Sequence, residues 1–173
     1  MSRIWLQGFT LMLLILALTG CSASPEEQIT NGIQLTEKVF AEKPESHTDS
    51  VDDVQLYLPS KFDITDRSDS HNIVMDKGKQ SFILFINKNE QIDSELYYDL
   101  LKKDDKKEII EEKVYDKKGI FGFSAVIKTE KEDEYELIVS CGGVKMSTIS
   151  PAKKVEDNLH DMTKIVRSVK LGK

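Results

Sequence analysis

Hydrophobic positions along this chain change their spacing several times, and each change marks an element. Ser24-Pro25-Glu26-Glu27 has the form of a helix start, with Ser24 as cap, Pro25 in the first turn and Glu27 completing a capping box. Ile29, Ile33, Thr36 and Phe40 follow at helical spacing, with Leu35 and Val39 alongside. Residues 43–50 are polar and read as a loop. Val54, Leu56 and Leu58 then alternate with Gln55 and Tyr57 until Pro59 stops the run, and Phe62 and Ile64 alternate with Lys61 and Asp63. Residues 73–75 form a short strand before a Lys77-Gly78 turn. Residues 82–86 are apolar at every position, which predicts a strand covered on both faces. Residues 120–127 form a second such stretch, where Gly122 marks a close approach or a bulge. Residues 130–134 are an exposed turn leading into a strand over 135–140, and Val144, Met146 and Thr148 alternate in a last strand.

Two more helices complete the pattern. Residues 94–103 predict a short one with Leu96, Leu100 and Leu101 on one side. Near the end, Ser150-Pro151 offers a cap and a first-turn proline, and Val155, Leu159, Met162, Val166 and Val169 recur at four-three-four-three spacing. Glu156, Asp157, Asp161 and Lys164 face away from that stripe. Strands joined by tight turns run antiparallel. Covering their apolar faces with the three helices gives an antiparallel sheet with helices packed on both faces, an α/β/α sandwich of the α+β class.

The segment before Ser24 has a different character. Arg3 and the amino terminus supply positive charge, and Leu11-Met12-Leu13-Leu14-Ile15-Leu16-Ala17-Leu18 is uncharged and apolar. That run is shorter than the roughly 20 residues a spanning helix needs. A short apolar core between a basic start and small residues has the form of a secretory signal. Leu18-Thr19-Gly20-Cys21 resembles the lipobox of bacterial lipoproteins. That resemblance implies a diacylglyceryl group on the Cys21 sulfur and cleavage between Gly20 and Cys21. The chain then divides into a signal peptide over 1–20, a lipidated tether over 21–24 and a single α+β domain over 25–173. The implied address is the extracytoplasmic side of a cell membrane, reached by lipid on Cys21, since stable anchoring takes more than one acyl chain. Cys141 is then the only thiol left, which rules out an internal disulfide.

A second resemblance spans most of the remaining chain. The opening helix, the run Leu58-Pro59-Ser60-Lys61-Phe62, the meander and a closing helix ending Ile165-Val166-Arg167-Ser168-Val169-Lys170 resemble the PsbP/Mog1-type fold of small envelope lipoproteins. What it implies is a fold and a binding or assembly role. It carries no catalytic motif and therefore no site residues.

Composition narrows the partners. The net charge is −6, with 39% hydrophobic and 31% charged residues. Nucleic-acid binding relies on Lys and Arg neutralising phosphates, so an acidic chain is not expected to bind it. Candidate chemistry is sparse. His47, His71 and His160 are far apart and lack the short pairing of zinc ligands. His160 beside Asp161 reads as solvated. Asp63, Asp66 and Asp69, spaced by three, invite a calcium reading. Ile64, Thr65 and Arg67 between and beside them favour a polar hairpin turn instead. Cys141, at the end of an apolar run, reads as a small buried hydrophobe in place of a nucleophile. Gly142-Gly143, Asp104-Asp105-Lys106-Lys107 and Lys117-Lys118-Gly119 read as turns. No cofactor motif is found. The chain is therefore read as a non-enzyme, a membrane-held binding or assembly module for an envelope protein, wall polymer or small ligand. The competing reading is an envelope hydrolase with a dispersed site. An apolar groove beside Tyr97, Tyr98 and Tyr115 would favour binding, and a histidine brought against two carboxylates or Cys141 would favour an enzyme.

Overall fold

The structure is a computed structural model that describes residues 23–67 and 69–172. Helix α1 (Pro25–Ala41) begins with the expected box: the Glu27 amide donates to Ser24 Oγ (3.2 Å), and the Ser24 amide donates to Glu27 Oε2 (2.9 Å). Two amides that an unguarded helix start leaves open are thereby satisfied. Ile29, Ile33, Thr36 and Val39 form its buried face, joined by Gly32.

Seven antiparallel strands make the main sheet. They are β3 (Asp63–Asp66), β4 (Asn72–Lys77), β5 (Gln80–Ile86), β6 (Ile109–Lys117), β7 (Ile120–Lys128), β8 (Glu134–Cys141) and β9 (Val144–Pro151), in the order β3-β4-β5-β9-β8-β7-β6. Tight turns join β4 to β5, β6 to β7 and β8 to β9, with Gly78, Gly119 and Gly142 at positive φ in each. Between β5 and β6 the chain leaves the sheet to form helix α2 (Leu96–Lys103). A small sheet, β1 (Asp49–Val51), β2 (Val54–Leu56) and β10 (Lys170–Leu171), closes one end of the core.

Helix α3 (Val155–Ser168) lies beside α1 on one face of the main sheet. The two helices run side by side in the same direction. Gly32 meets Glu156 and Leu159, whereas Glu42, just past the end of α1, accepts a hydrogen bond from Arg167 near the end of α3. A Cβ on Gly32 would lie 2.8 Å from Leu159 Cδ1 and 3.1 Å from the Glu156 backbone, so glycine lets the two helices cross this closely. Between helices and sheet, Phe82, Leu84, Ile86, Leu137, Val139, Met146, Leu159 and Met162 form the main core. The other face carries α2 and a smaller cluster of Tyr97, Leu101, Phe121, Phe123, Ala125, Ile127 and Ile138. The α+β class, the antiparallel sheet and helices on both faces are as the sequence predicts.

Four local expectations are corrected. Residues 121–127 are buried throughout, but in the 82–86 run Ile83 is 49% exposed, because nothing covers that part of the second face. Helix α2 buries Tyr97 and Leu101 in place of Leu96, Leu100 and Leu101, and Leu100 is 55% exposed. The aromatic ring at 97 reaches Phe85 edge-on (6.0 Å), and its i+4 neighbour Leu101 follows it inward. Helix α3 starts at Val155 after a 3₁₀ turn over Ala152–Lys154; Ser150 is not its cap, since the Ser150 hydroxyl accepts from Asn158 Nδ2 (2.9 Å) within the core. Asp161 does not face away either. It joins Asp157 in accepting from Lys77 Nζ at 2.6 and 2.7 Å, where Lys77 also lies over the Phe62 ring.

Three outcomes are expected. In urea denaturation Leu159→Ala should cost about 2–5 kcal/mol, from lost transfer energy and a cavity under α3. Leu100→Ala should stay within about 0.5 kcal/mol. The Lys77 cluster should appear in the acid limb of a melting curve. Its hydrogen bond from Lys77 holds the Asp157 carboxyl below its ordinary value. A carboxyl depressed in the folded state stabilises above its unfolded pKa, and that stability is lost as pH falls through the folded one. Lys77→Met should lower the Tm at pH 7 and flatten the further fall in Tm between pH 4 and about pH 3.

Candidate functional site: the open half of the sheet

On the second face, alternation along each strand sends Ser81, Ile83 and Phe85 of β5 outward together with Lys145, Ser147 and Ile149 of β9. Helix α2 covers the β6, β7 and β8 side of this face. Tyr98 meets Phe121 and Phe123 at 5.9 and 5.4 Å, and Lys102 pairs with Glu112 at 2.9 Å. Beyond β8 the cover narrows to the Tyr97 ring against Phe85 of β5. Lys145 marks the border, its ammonium over the rings of Tyr97 (5.3 Å) and Phe85 (6.0 Å). Burial, with Lys107 nearby, lowers the pKa of that ammonium, while Glu136 opposes the shift. Lys107 itself forms an ion pair with Glu136, which walls one side of the open region.

Beyond the border lies a shallow groove of about 570 Å³, lined by Lys79, Ser81, Ile83, Glu136, Ser147, Ile149, Pro151 and Lys154. Ile83 pairs across the sheet with Val74 on one side and Ser147 on the other, so Ile149 is its diagonal neighbour. Ile149 is 50% exposed. The strands part at this end. The last β5–β9 pair is Phe82 with Thr148, and the Gln80 amide substitutes for further backbone pairing. It donates to the Ile149 carbonyl (3.0 Å) and Thr148 Oγ1 (3.1 Å) and accepts from Asn158 (3.1 Å). The groove floor is therefore held rigidly from below. Among the described residues neither Lys79 nor Lys154 has an ion-pair partner, so the rim offers free positive charge beside an apolar floor.

The residues singled out from sequence fall elsewhere. Gly20 and Cys21, with all of residues 1–22, lie outside the described residues. His47 Nε2 lies 2.9 Å from the Ser168 carbonyl, His71 Nδ1 lies 3.1 Å from Asp69, and half-exposed His160 lies 3.9 Å from Asp161. These three sites are separate. Asp69 caps the β3–β4 turn by accepting from the His71 amide and the Asn72 side chain, while Asp63 and Asp66 belong to β3. Among the described residues no group of three or more His, Cys, Asp or Glu could hold a metal, and no helix is long and apolar enough to cross a membrane.

Cys141 is buried at the end of β8. Burial pushes its thiol up, and the nearby Arg167 guanidinium offsets only part of that. Of the three tyrosines, Tyr97 lies under α2, where burial and the Glu90 charge push its hydroxyl up to about 12, and it donates to the Gly143 carbonyl. Tyr98 packs on Phe123. Tyr115 joins Thr36 and Ser124 in a hydroxyl cluster and stacks on Phe40 at 4.0 Å. Sequence reasoning missed Ile83 and Ile149. Their only signal was an apolar residue on the face that α2 is too short to reach.

A scan against protein-family models gives no match, and a search of curated proteins gives none either. Among solved structures the fold is similar to the solution structure of cyanobacterial PsbP (CyanoP) from Synechocystis sp. PCC 6803. The TM-score is 0.45 and the identity 10%, over 73% of this chain and 91% of that one. The likeness is one of chain path, and it transfers no residue or ligand.

The state of Cys141 is directly measurable. At pH 8, iodoacetamide should modify Cys141 in the folded protein roughly a hundredfold more slowly than in urea, because the protonated thiol reacts only on opening. Peptide mapping that found fast labelling at this position would restore it as a candidate nucleophile.

Proposed function

We propose that this chain is a lipid-anchored, non-catalytic binding module on the extracytoplasmic side of a bacterial cell membrane, which holds an envelope protein against the open half of its sheet. The observation that carries the binding reading is the half-exposed Ile83–Ile149 stripe, set on a braced floor and flanked by unpaired Lys79 and Lys154. Sheet surface left uncovered in this way is costly in water, and a contiguous apolar patch with a polar rim is the usual form of a protein-binding site. Its chemistry suits a partner that presents aliphatic side chains beside carboxylates.

Anchoring rests on the leader and the Leu18-Thr19-Gly20-Cys21 pattern, with acylated Cys21 held by membrane lipid. The tether leads into the start of α1, and α1 packs beside the Ala152–Lys154 turn that also closes the groove. A domain held this way carries its open face close to the membrane surface, where envelope proteins are available.

Two measurements test this. Mass spectrometry of the native protein should find a diacylglyceryl group on Cys21 and no leader; a free thiol there, or an intact leader, removes the anchor. A photo-cross-linking residue at position 149 in living cells should give a discrete protein adduct that is absent with the cross-linker at position 170 and lost on Ile83→Asp. That substitution should cost about 1–2 kcal/mol, from lost strand propensity and half-buried surface, which leaves the domain folded. An adduct indifferent to Ile83→Asp, or none, removes the binding reading.

A further inference from the structure

At the opposite end of the helices a second groove, of about 520 Å³, opens between the end of α1 and the β6–β7 hairpin. The Phe40 ring is its centrepiece. One face stacks on Tyr115 at 4.0 Å and 14°, and the Arg167 guanidinium lies 5.4 Å from the ring centre. Gly122 makes room for that ring, since a Cβ there would lie 2.5 Å from Phe40 Cε1. Aromatic packing thus holds the guanidinium beside the ring. Its Nη2 donates to the Glu42 carbonyl at 2.8 Å. Its Nε is buried and has no hydrogen-bond partner. The neighbouring Cys141 thiol makes a weak side-chain contact with the guanidinium but, pushed up by burial, supplies no counter-charge. Among the described residues no carboxylate pairs with the guanidinium, although Glu42 and Asp116 line the same groove and Glu37 is taken by Lys113 at 3.2 Å. Exposed Lys43, Lys117 and Lys118 stand around the rim, also without ion-pair partners among the described residues.

A guanidinium held beside the ring, partly out of water and lacking a counter-ion, carries an unmet electrostatic demand. Leaving a charged donor buried and unbonded costs far more than leaving it in solvent. Its planar fork matches the spacing of two oxygens on one carboxylate or phosphate. The surrounding protein is acidic overall, with a net charge of −6. Selectivity for an anion must therefore come from this local cluster rather than from the long-range field.

From this geometry we propose that the groove binds a small oxyanion, a carboxylate or phosphate group, gripped by Arg167 over Phe40 with Lys43 and Lys118 closing from the rim. The site is independent of the sheet groove, because the two share no lining residue and open on opposite faces of the main sheet. Under the proposed anchoring this end is the one turned away from the membrane. The oxyanion therefore belongs to a free small molecule or solute and not to a headgroup of the anchoring bilayer.

The test uses the native ¹⁵N-labelled protein extracted in a non-ionic detergent. The Arg167 Nε–H resonance is followed during titration with sodium phosphate and, separately, sodium acetate, each against sodium chloride at matched ionic strength. A saturable shift of that resonance with phosphate, acetate or both, absent with chloride, is expected, and the two arms show which oxyanion is held. Arg167→Lys keeps the charge but loses the fork, and it should weaken binding about tenfold or more. Should that variant fail to fold, the exposed double change Lys43→Gln with Lys118→Gln serves instead, with weaker saturable binding expected. A linear, chloride-like response in the wild-type protein overturns the proposal. So does binding that neither replacement alters.

Discussion

Burial of one sheet face beneath two helices that lie side by side in the same direction is the constraint on which the remainder of this structure depends. Helices α1 and α3 come from opposite ends of the described chain, yet they touch through Gly32, where a Cβ would crowd Leu159 and the α3 backbone. That contact sets how close the two helices lie and therefore how much of β6 to β9 they cover together. It also determines what stands at each end. The start of α1 is brought to the Ala152–Lys154 turn, and its finish is brought to Arg167.

On the opposite face the cover runs short. Seven strands at about 4.8 Å spacing make a surface roughly 30 Å wide, while one helix with its side chains is about 10 Å across. Helix α2, with eight residues, cannot shield more than part of it. Tyr98 is spent on Phe121 and Phe123 of β7 and Tyr97 on Phe85 of β5, and Lys145 with the Lys107–Glu136 pair marks the edge of the shielded zone. Past that edge Ile83 and Ile149 are left half in water.

The fold separates polar work in the interior from polar work at the surface. Thr36, Tyr115 and Ser124 satisfy one another beneath α1, Asn158 joins Ser150 to Gln80, and Lys77 ties β4 to α3 through two carboxylates. These groups have partners and so hold the architecture without being free for ligands. Arg167 differs from them. Its ring platform is complete, and its hydrogen bonding is not.

Much of the architecture is legible in the chain itself. The capping box at Ser24 and Glu27, the two unbroken apolar strands, the turn glycines and the stripe from Val155 to Val166 are local patterns, and local backbone physics reads them directly. Helix ends and exposures are less legible. Ser150 has the chemistry of a cap but is used by Asn158, and Asp161 looks solvent-facing until Lys77 arrives from a strand more than eighty residues earlier. The apolar run over residues 11–18 and the Leu18-Thr19-Gly20-Cys21 pattern are legible in the sequence alone. Periodicity determined which elements form and which residues are able to be buried. Only the tertiary structure decided which apolar residues go without cover and which cation goes without a counter-ion, because both depend on how far one element extends over another, and spacing along a chain carries no measure of that reach.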